Sequence, residues 1–196
     1  MAPLISRIDH IAVAVRDYEK ADLFFREVLG AIPGASARDP AMKYLWQIFS
    51  LGDLSRIELL TPTSQGSFLD NFLALQPGGF HHITLQTRSI EETKALLQQH
   101  RIPYFGYNEY AEAFWKELFI HPRNAFGVLI QIAEFHPNDW LNEDLRSSEN
   151  EPWEIRATEG GIHLTLAHPG GGKTGIDLNP EEARKLVADL QYALGK

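Results

Sequence analysis

What most constrains this chain is an internal repeat. Residues 9–25 read DHIAVAVRDYEKADLFF, and 72 positions on, residues 81–97 read HHITLQTRSIEETKALL in the same layout. Each stretch places a histidine at its start, runs on as an alternating strand, breaks at a polar pair and opens a helix. In the first, Ile11, Val13 and Val15 alternate with His10, Ala12 and Ala14, the period of a strand with one buried face. Asp17 is placed to cap a helix running to Leu29, and Gly30 suits its end. In the second, Ile83, Leu85 and Thr87 alternate with His82, Thr84 and Gln86, and Ser89 with Glu92 forms a capping box.

The repeat continues past the helices. A turn-rich stretch, GASARDP, precedes YLWQIFSLG and RIELLTP, which read as strands around a turn at Gly52 and Asp53. FWKELFIHP and GVLIQIAEF hold the matching places in the second copy. A βαβββ module is therefore expected twice, over residues 6–76 and 77–135, joined by TSQGSFLDNFLALQPGG with a short helix inside it. The fold class is α+β: paired βαβββ modules whose cupped mixed sheets surround a central cleft, with a C-terminal extension. Residues 136–152 are acidic and polar and read as a linker. In residues 153–196, WEIRAT, IHLTLA and TGIDL are three short strands, and Asn179, Pro180 and Glu182 start a helix. So small a unit is expected to dock on the paired modules or on a twin subunit through Leu186, Val187, Leu190 and Leu194, which puts a homodimer among the partners considered.

Composition narrows the chemistry. With 44% hydrophobic and 22% charged residues the chain is an ordinary globular sequence, and a net charge of −8 opposes binding to nucleic acid or an anionic membrane. There is no cysteine, so any metal must be held by histidine, carboxylate or amide oxygen. Neither a signal-peptide pattern nor an apolar run of membrane-spanning length occurs, and a cytoplasmic protein with a small-molecule substrate is the expectation.

Strand alternation points His10 and His82 away from the branched apolar face, toward the cleft. Glu58 in RIELL and Gln131 in LIQIA lie 73 residues apart, so the same repeat relates them. A carboxylate inside an apolar strand is costly unless it is paired or bound to a cation, and histidine nitrogens with carboxylate oxygen suit Zn, Fe, Ni or Co. Each of these residues alone has a plain structural reading; their joint placement carries the argument.

Taken together, RIDHIAVAV, RIELLTPTSQGSFLDNFL, GFHHITLQT and LFIHPRNAFGVLIQIAE resemble the vicinal oxygen chelate superfamily, which includes glyoxalase I, extradiol dioxygenases and bleomycin resistance proteins, and most of all its methylmalonyl-CoA epimerase branch. The resemblance covers roughly residues 6–135. It implies one divalent metal ion (Co, Ni, Zn, Mn or Fe) bound at the positions of His10, Glu58, His82 and Gln131. His81 is then expected on the opposite face, in a structural role.

Departures from that pattern matter. Gln131 stands where the epimerase and glyoxalase patterns carry glutamate, and an amide cannot act as a base near neutral pH. With Glu58 the one anionic ligand, the bound ion would keep a formal charge of +1 and act as a stronger Lewis acid. Glu58 is expected to serve as ligand and base. Glu117 would replace the missing base if it faces the cleft, and would otherwise be a solvated strand edge. The preferred expectation is a metal-dependent isomerase or lyase, epimerase- or glyoxalase-like, that stabilises an enolate or diolate of an oxygen-chelating substrate. The alternatives are a non-haem Fe(II) extradiol-type dioxygenase and a resistance-type protein that binds a ligand without turnover. AHPGGGKT, residues 167–174, fits a loose phosphate-loop pattern but leads into a strand, and reads as a hairpin turn. His121, His163 and His168 are read as structural or exposed.

Overall fold

A computed structural model describes residues 4–52, 54–110, 114–146, 151–168 and 171–195. Asp53 of the first-module turn, residues 147–150 of the linker stretch, and Pro169 and Gly170 of the glycine-rich turn lie outside the described residues. The chain divides into two compact units, with the boundary in sequence between Asn142 and Glu143.

The first unit is the doubled module. The first copy runs β1 (Ile5–Val15), α1 (Tyr18–Leu23), β2 (Ile32–Asp39), β3 (Tyr44–Ser50) and β4 (Arg56–Pro62). After a four-residue helix, α2 (Asp70–Leu73), the second copy follows as β5 (Gly78–Thr87), α3 (Ile90–Gln99), β6 (Phe105–Glu109), β7 (Trp115–Ile120) and β8 (Ile130–Phe135). The eight strands join in one sheet, β2-β3-β4-β1-β5-β8-β7-β6. β1 pairs antiparallel with β5 at the centre, and each module's first strand pairs parallel with its last.

Local chemistry explains the helices. The Asp17 carboxylate accepts from the Lys20 amide at 3.0 Å and Ser89 Oγ accepts from Glu92 at 3.2 Å, so both caps form where the sequence places them. α1 continues as a π-helical turn over Phe24–Val28. Gly30, at φ +68°, then reverses the chain in a conformation that costs other residues more.

Three small cores hold the sheet. Ala31, Phe49 and Leu59 pack with α1; Ala12, Ala14, Leu60, Leu69 and Leu73 pack with α2; Ile90, Leu118, Ile120 and Ile132 pack with α3. Two expectations need correction. GASARDP is not a turn but most of β2, an edge strand; Gly34 is needed in it because a Cβ there would come within 2.5 Å of the Trp140 carbonyl oxygen. Ile11, on the branched face that strand alternation would bury under a helix, does not pack under one. α1 lies on the β4 side and α3 on the β8 side, and at the seam between modules Ile8, Ile11 and Phe80 stay exposed.

The second unit holds β9 (Trp153–Thr158), β10 (Gly161–Ala167), β11 (Lys173–Leu178) and α4 (Pro180–Ala193). Its sheet order is β11-β10-β9, all antiparallel, with α4 against β10 and β11. Asn179 and Glu182 complete a capping box, and the glycine-rich stretch lies between β10 and β11 rather than before a helix. No helix among the described residues is long and apolar enough to cross a membrane.

Candidate metal centre

The parallel pairings decide which side chains meet. Ala12 faces Glu58 across β1–β4, and Thr84 faces Gln131 across β5–β8. In each module a histidine two residues earlier on the first strand therefore shares a face with the polar residue of the last strand. Because β1 and β5 are themselves paired, the two half-sites close on one point. Nitrogens of His10 and His82 and an oxygen of Glu58 all lie within 4.8 Å of one another. Glu58 Oε2 is 3.5 Å from His10 Nε2 and 3.6 Å from His82 Nε2. Gln131 Oε1 sits 3.1 Å from His82 Nε2. The four residues singled out in the sequence are thus brought together, both histidines and Gln131 being buried.

The electrostatics set the two histidines apart. Burial would lower the His10 pKa, but hydrogen bonds and charge from Asp9 and Glu58 raise it to about 9. His82 goes the other way: burial, with His10 and His81 nearby, holds it well below the ordinary histidine value, hence neutral. One neutral imidazole, one imidazole that two carboxylates draw toward positive charge, one carboxylate and one amide oxygen make a donor set that suits a divalent ion of the Zn, Co, Ni, Mn or Fe kind.

Around this set stand groups that the sequence did not single out. Thr84, fully buried, has its Oγ1 2.8 Å from His10 Nε2 and donates to Gln131 Oε1 at 2.5 Å. Asp9 Oδ2 lies 2.7 Å from His10 Nδ1, and its other oxygen is clamped by the guanidinium groups of Arg7 and Arg56. His81 differs from expectation: it does not turn to the opposite face, and its Nδ1 lies 2.8 Å from His82 Nδ1. Tyr44 is half-buried near Glu58 and Glu117, and that burial with those charges pushes its phenol pKa up, so the phenol stays protonated.

Glu117 is buried and not a solvated edge. Its Oε2 accepts from Gln131 Nε2 at 2.6 Å and from Trp115 Nε1 at 2.7 Å; its Oε1 has two longer contacts, Tyr110 Oη and Asn108 Nδ2, both at 3.3 Å. A carboxylate only accepts, so this bond fixes the Gln131 amide with its oxygen toward the histidines. Trp115 and Tyr110 are spent on Glu117, and Tyr104 packs on the α3 core. Tyr107 bonds Glu91 and Glu109 at the surface. His121 caps the turn at Arg123, and His163 pairs with Asp177 at 2.7 Å.

Comparison with known proteins agrees with this architecture. A model of the glyoxalase/bleomycin resistance protein/dioxygenase superfamily matches residues 9–119. An ethylmalonyl-CoA/methylmalonyl-CoA epimerase of Cereibacter sphaeroides is 33% identical over 134 residues, 67% of this chain and 99% of that protein. Mouse mitochondrial methylmalonyl-CoA epimerase is 31% identical over 132 residues, 66% of this chain and 74% of that one. Among solved structures, methylmalonyl-CoA epimerase from Mycobacterium tuberculosis superposes with a TM-score of 0.63 at 21% identity, over 70% of this chain and 93% of the other.

Proposed function

The chain belongs to the glyoxalase/bleomycin resistance protein/dioxygenase superfamily, and from that premise we propose that it is a metal-dependent epimerase acting on an acyl-CoA thioester of the methylmalonyl kind. The observation that carries the reading is the convergence of His10, Glu58 and His82 within 4.8 Å, both histidines buried, with the Gln131 amide aimed at the same point. The relatives' substrate supports the choice of thioester.

His10, Glu58, His82 and Gln131 would hold the ion, which supplies Lewis-acid polarisation of the substrate carbonyl. Glu58, 13% exposed and the least buried of the four, takes the proton from the carbon next to the thioester, and the Cα–H electron pair passes into the enolate. Return of a proton to the opposite face inverts the centre, and Glu117, hydrogen-bonded behind Gln131, is the second carboxyl group available to take one up and pass it on. The two long contacts on Glu117 Oε1 are the ones a substrate would replace. Buried Thr84 and half-buried Tyr44 limit the access of bulk water to the enolate.

The test is methylmalonyl-CoA in D2O with the Co2+-loaded protein. Inversion with deuterium at the α-carbon is the expected result. Glu58→Gln should lower the exchange rate by roughly 100-fold or more, and Glu117→Gln should exchange without inverting. A metal-loaded wild-type protein that exchanges nothing would sink the proposal. A second reading, an Fe2+ oxygenase, is favoured by one feature, the pairing of two histidines with one carboxylate. It predicts O2 consumption with a catechol and no α-exchange.

A further inference from the structure

The residue before each of the two site histidines occupies a β-bulge, and the two bulges are equivalent under the repeat. In the β1–β5 ladder Ile8 faces Leu85 and His10 faces Thr84, so Asp9 is an extra residue with no partner. Further along, Ala12 faces His82 and Val13 faces Phe80, so His81 is extra in the same way. Asp9 and His81 are 72 positions apart, like the histidines they precede. In a regular strand neighbouring side chains leave on opposite faces; a bulge breaks that period and lets both lie on one side. The consequence is visible twice. Asp9 Oδ2 sits 2.7 Å behind His10 Nδ1, and His81 Nδ1 sits 2.8 Å behind His82 Nδ1, while both Nε2 atoms face Glu58.

We propose that Asp9 and His81 are a matched pair of positioning residues, each accepting the Nδ1–H of the following histidine so that its Nε2 lone pair is presented to the metal. The inference rests on the metal-site reading above. An ionised carboxylate can only accept, so Asp9 leaves His10 no other arrangement at Nδ1. For the Nδ1–Nδ1 contact one ring must donate and the other accept; with His82 ligating through Nε2, its Nδ1 is the donor and His81 the acceptor. The supports differ in kind. Behind His10 stands a buried anion held by Arg7 and Arg56; behind His82 stands a half-buried imidazole whose ring meets Phe68 and Phe72 edge-on, at 5.7 and 5.1 Å. The module with the anionic ligand Glu58 thus also has the anionic support, and the module with the amide Gln131 has the neutral one. His10 is the stronger donor of the two, since a hydrogen-bonded carboxylate raises the basicity of a ligating imidazole.

Two variants test this in the whole chain. Asp9→Asn keeps shape and acceptor but removes the charge; His81→Phe keeps the ring against Phe68 and Phe72 but removes the acceptor. Each should weaken Co2+ binding, measured by competition with a chromophoric chelator, by roughly 10- to 100-fold. His81→Phe should also change the visible spectrum of bound Co2+, which a merely structural role would leave alone. In the zinc-loaded wild-type protein, 15N imidazole correlations should show a protonated Nδ1 on both His10 and His82. Unchanged affinity in either variant, or a protonated Nε2 with bare Nδ1 on either histidine of the loaded protein, would overturn the proposal. If the wild-type protein binds no metal, the metal-site reading fails by itself. The tautomer of the neutral His10 ring, read in the metal-free protein at a pH where that ring has lost its extra proton, then decides, a protonated Nδ1 with bare Nε2 supporting the Asp9 assignment and a bare Nδ1 overturning it.

Discussion

At the scale of single residues, a buried ion cluster stands behind His10. Asp9 is 4% exposed; burial pushes its pKa up, yet His10, Arg56 and Arg7 together bring it down from 3.8 to about 2. A depressed carboxylate adds stability above its unfolded pKa and loses it as pH falls through the folded value. Denaturant titrations of the metal-free protein should therefore show on the order of 2 kcal/mol disappearing between about pH 4 and pH 2, and Asp9→Asn should flatten that limb. If the limb is unchanged in the variant, the ion cluster is not what acid breaks. His10, Glu58, His82 and Gln131 could be found from spacing alone, because strand alternation and the repeat both act on sequence positions. Asp9 and His81 could not: alternation assigns each to the wrong face, and only the bulge, which arises from pairing between distant strands, reverses that. The burial of Glu117 was hidden for the same reason, since its donors come from β6, β7 and β8.

Among the elements, those with strong local signals were legible: both capped helices, the alternating first strands and the capping box of α4. β2 was not, because IPGASARD is poor in strand-forming residues and its place is set by the β3 edge and by Gln47, whose amide donates to the Gly34 carbonyl at 3.0 Å. Gly34→Ala should cost about 1–3 kcal/mol by forcing a methyl group onto the Trp140 backbone. In the second module Leu118 is fully buried among Ile90, Ile120 and Ile132, and Leu118→Ala should cost about 3 kcal/mol. Thermal or urea unfolding checks both, and a neutral result for either would mean that its element is held by something else.

At the scale of the whole chain, every residue assigned to the metal centre and to its hydrogen-bonded support lies in the unit that ends at Asn142. A protein shortened to residues 1–142 should keep its Co2+ affinity within about twofold, as independent parts do; a large loss would assign the second unit a share in the site. The central claim is that the two modules are joined so that one ion is held by residues from both. Its most direct test is elemental analysis for Fe, Co, Ni, Zn and Mn of the untagged protein beside His10→Ala and Glu58→Ala variants after reconstitution. About one divalent ion per wild-type chain, lost in both variants, is the predicted result. No bound metal in the reconstituted wild-type protein, or equal metal in all three, would contradict it.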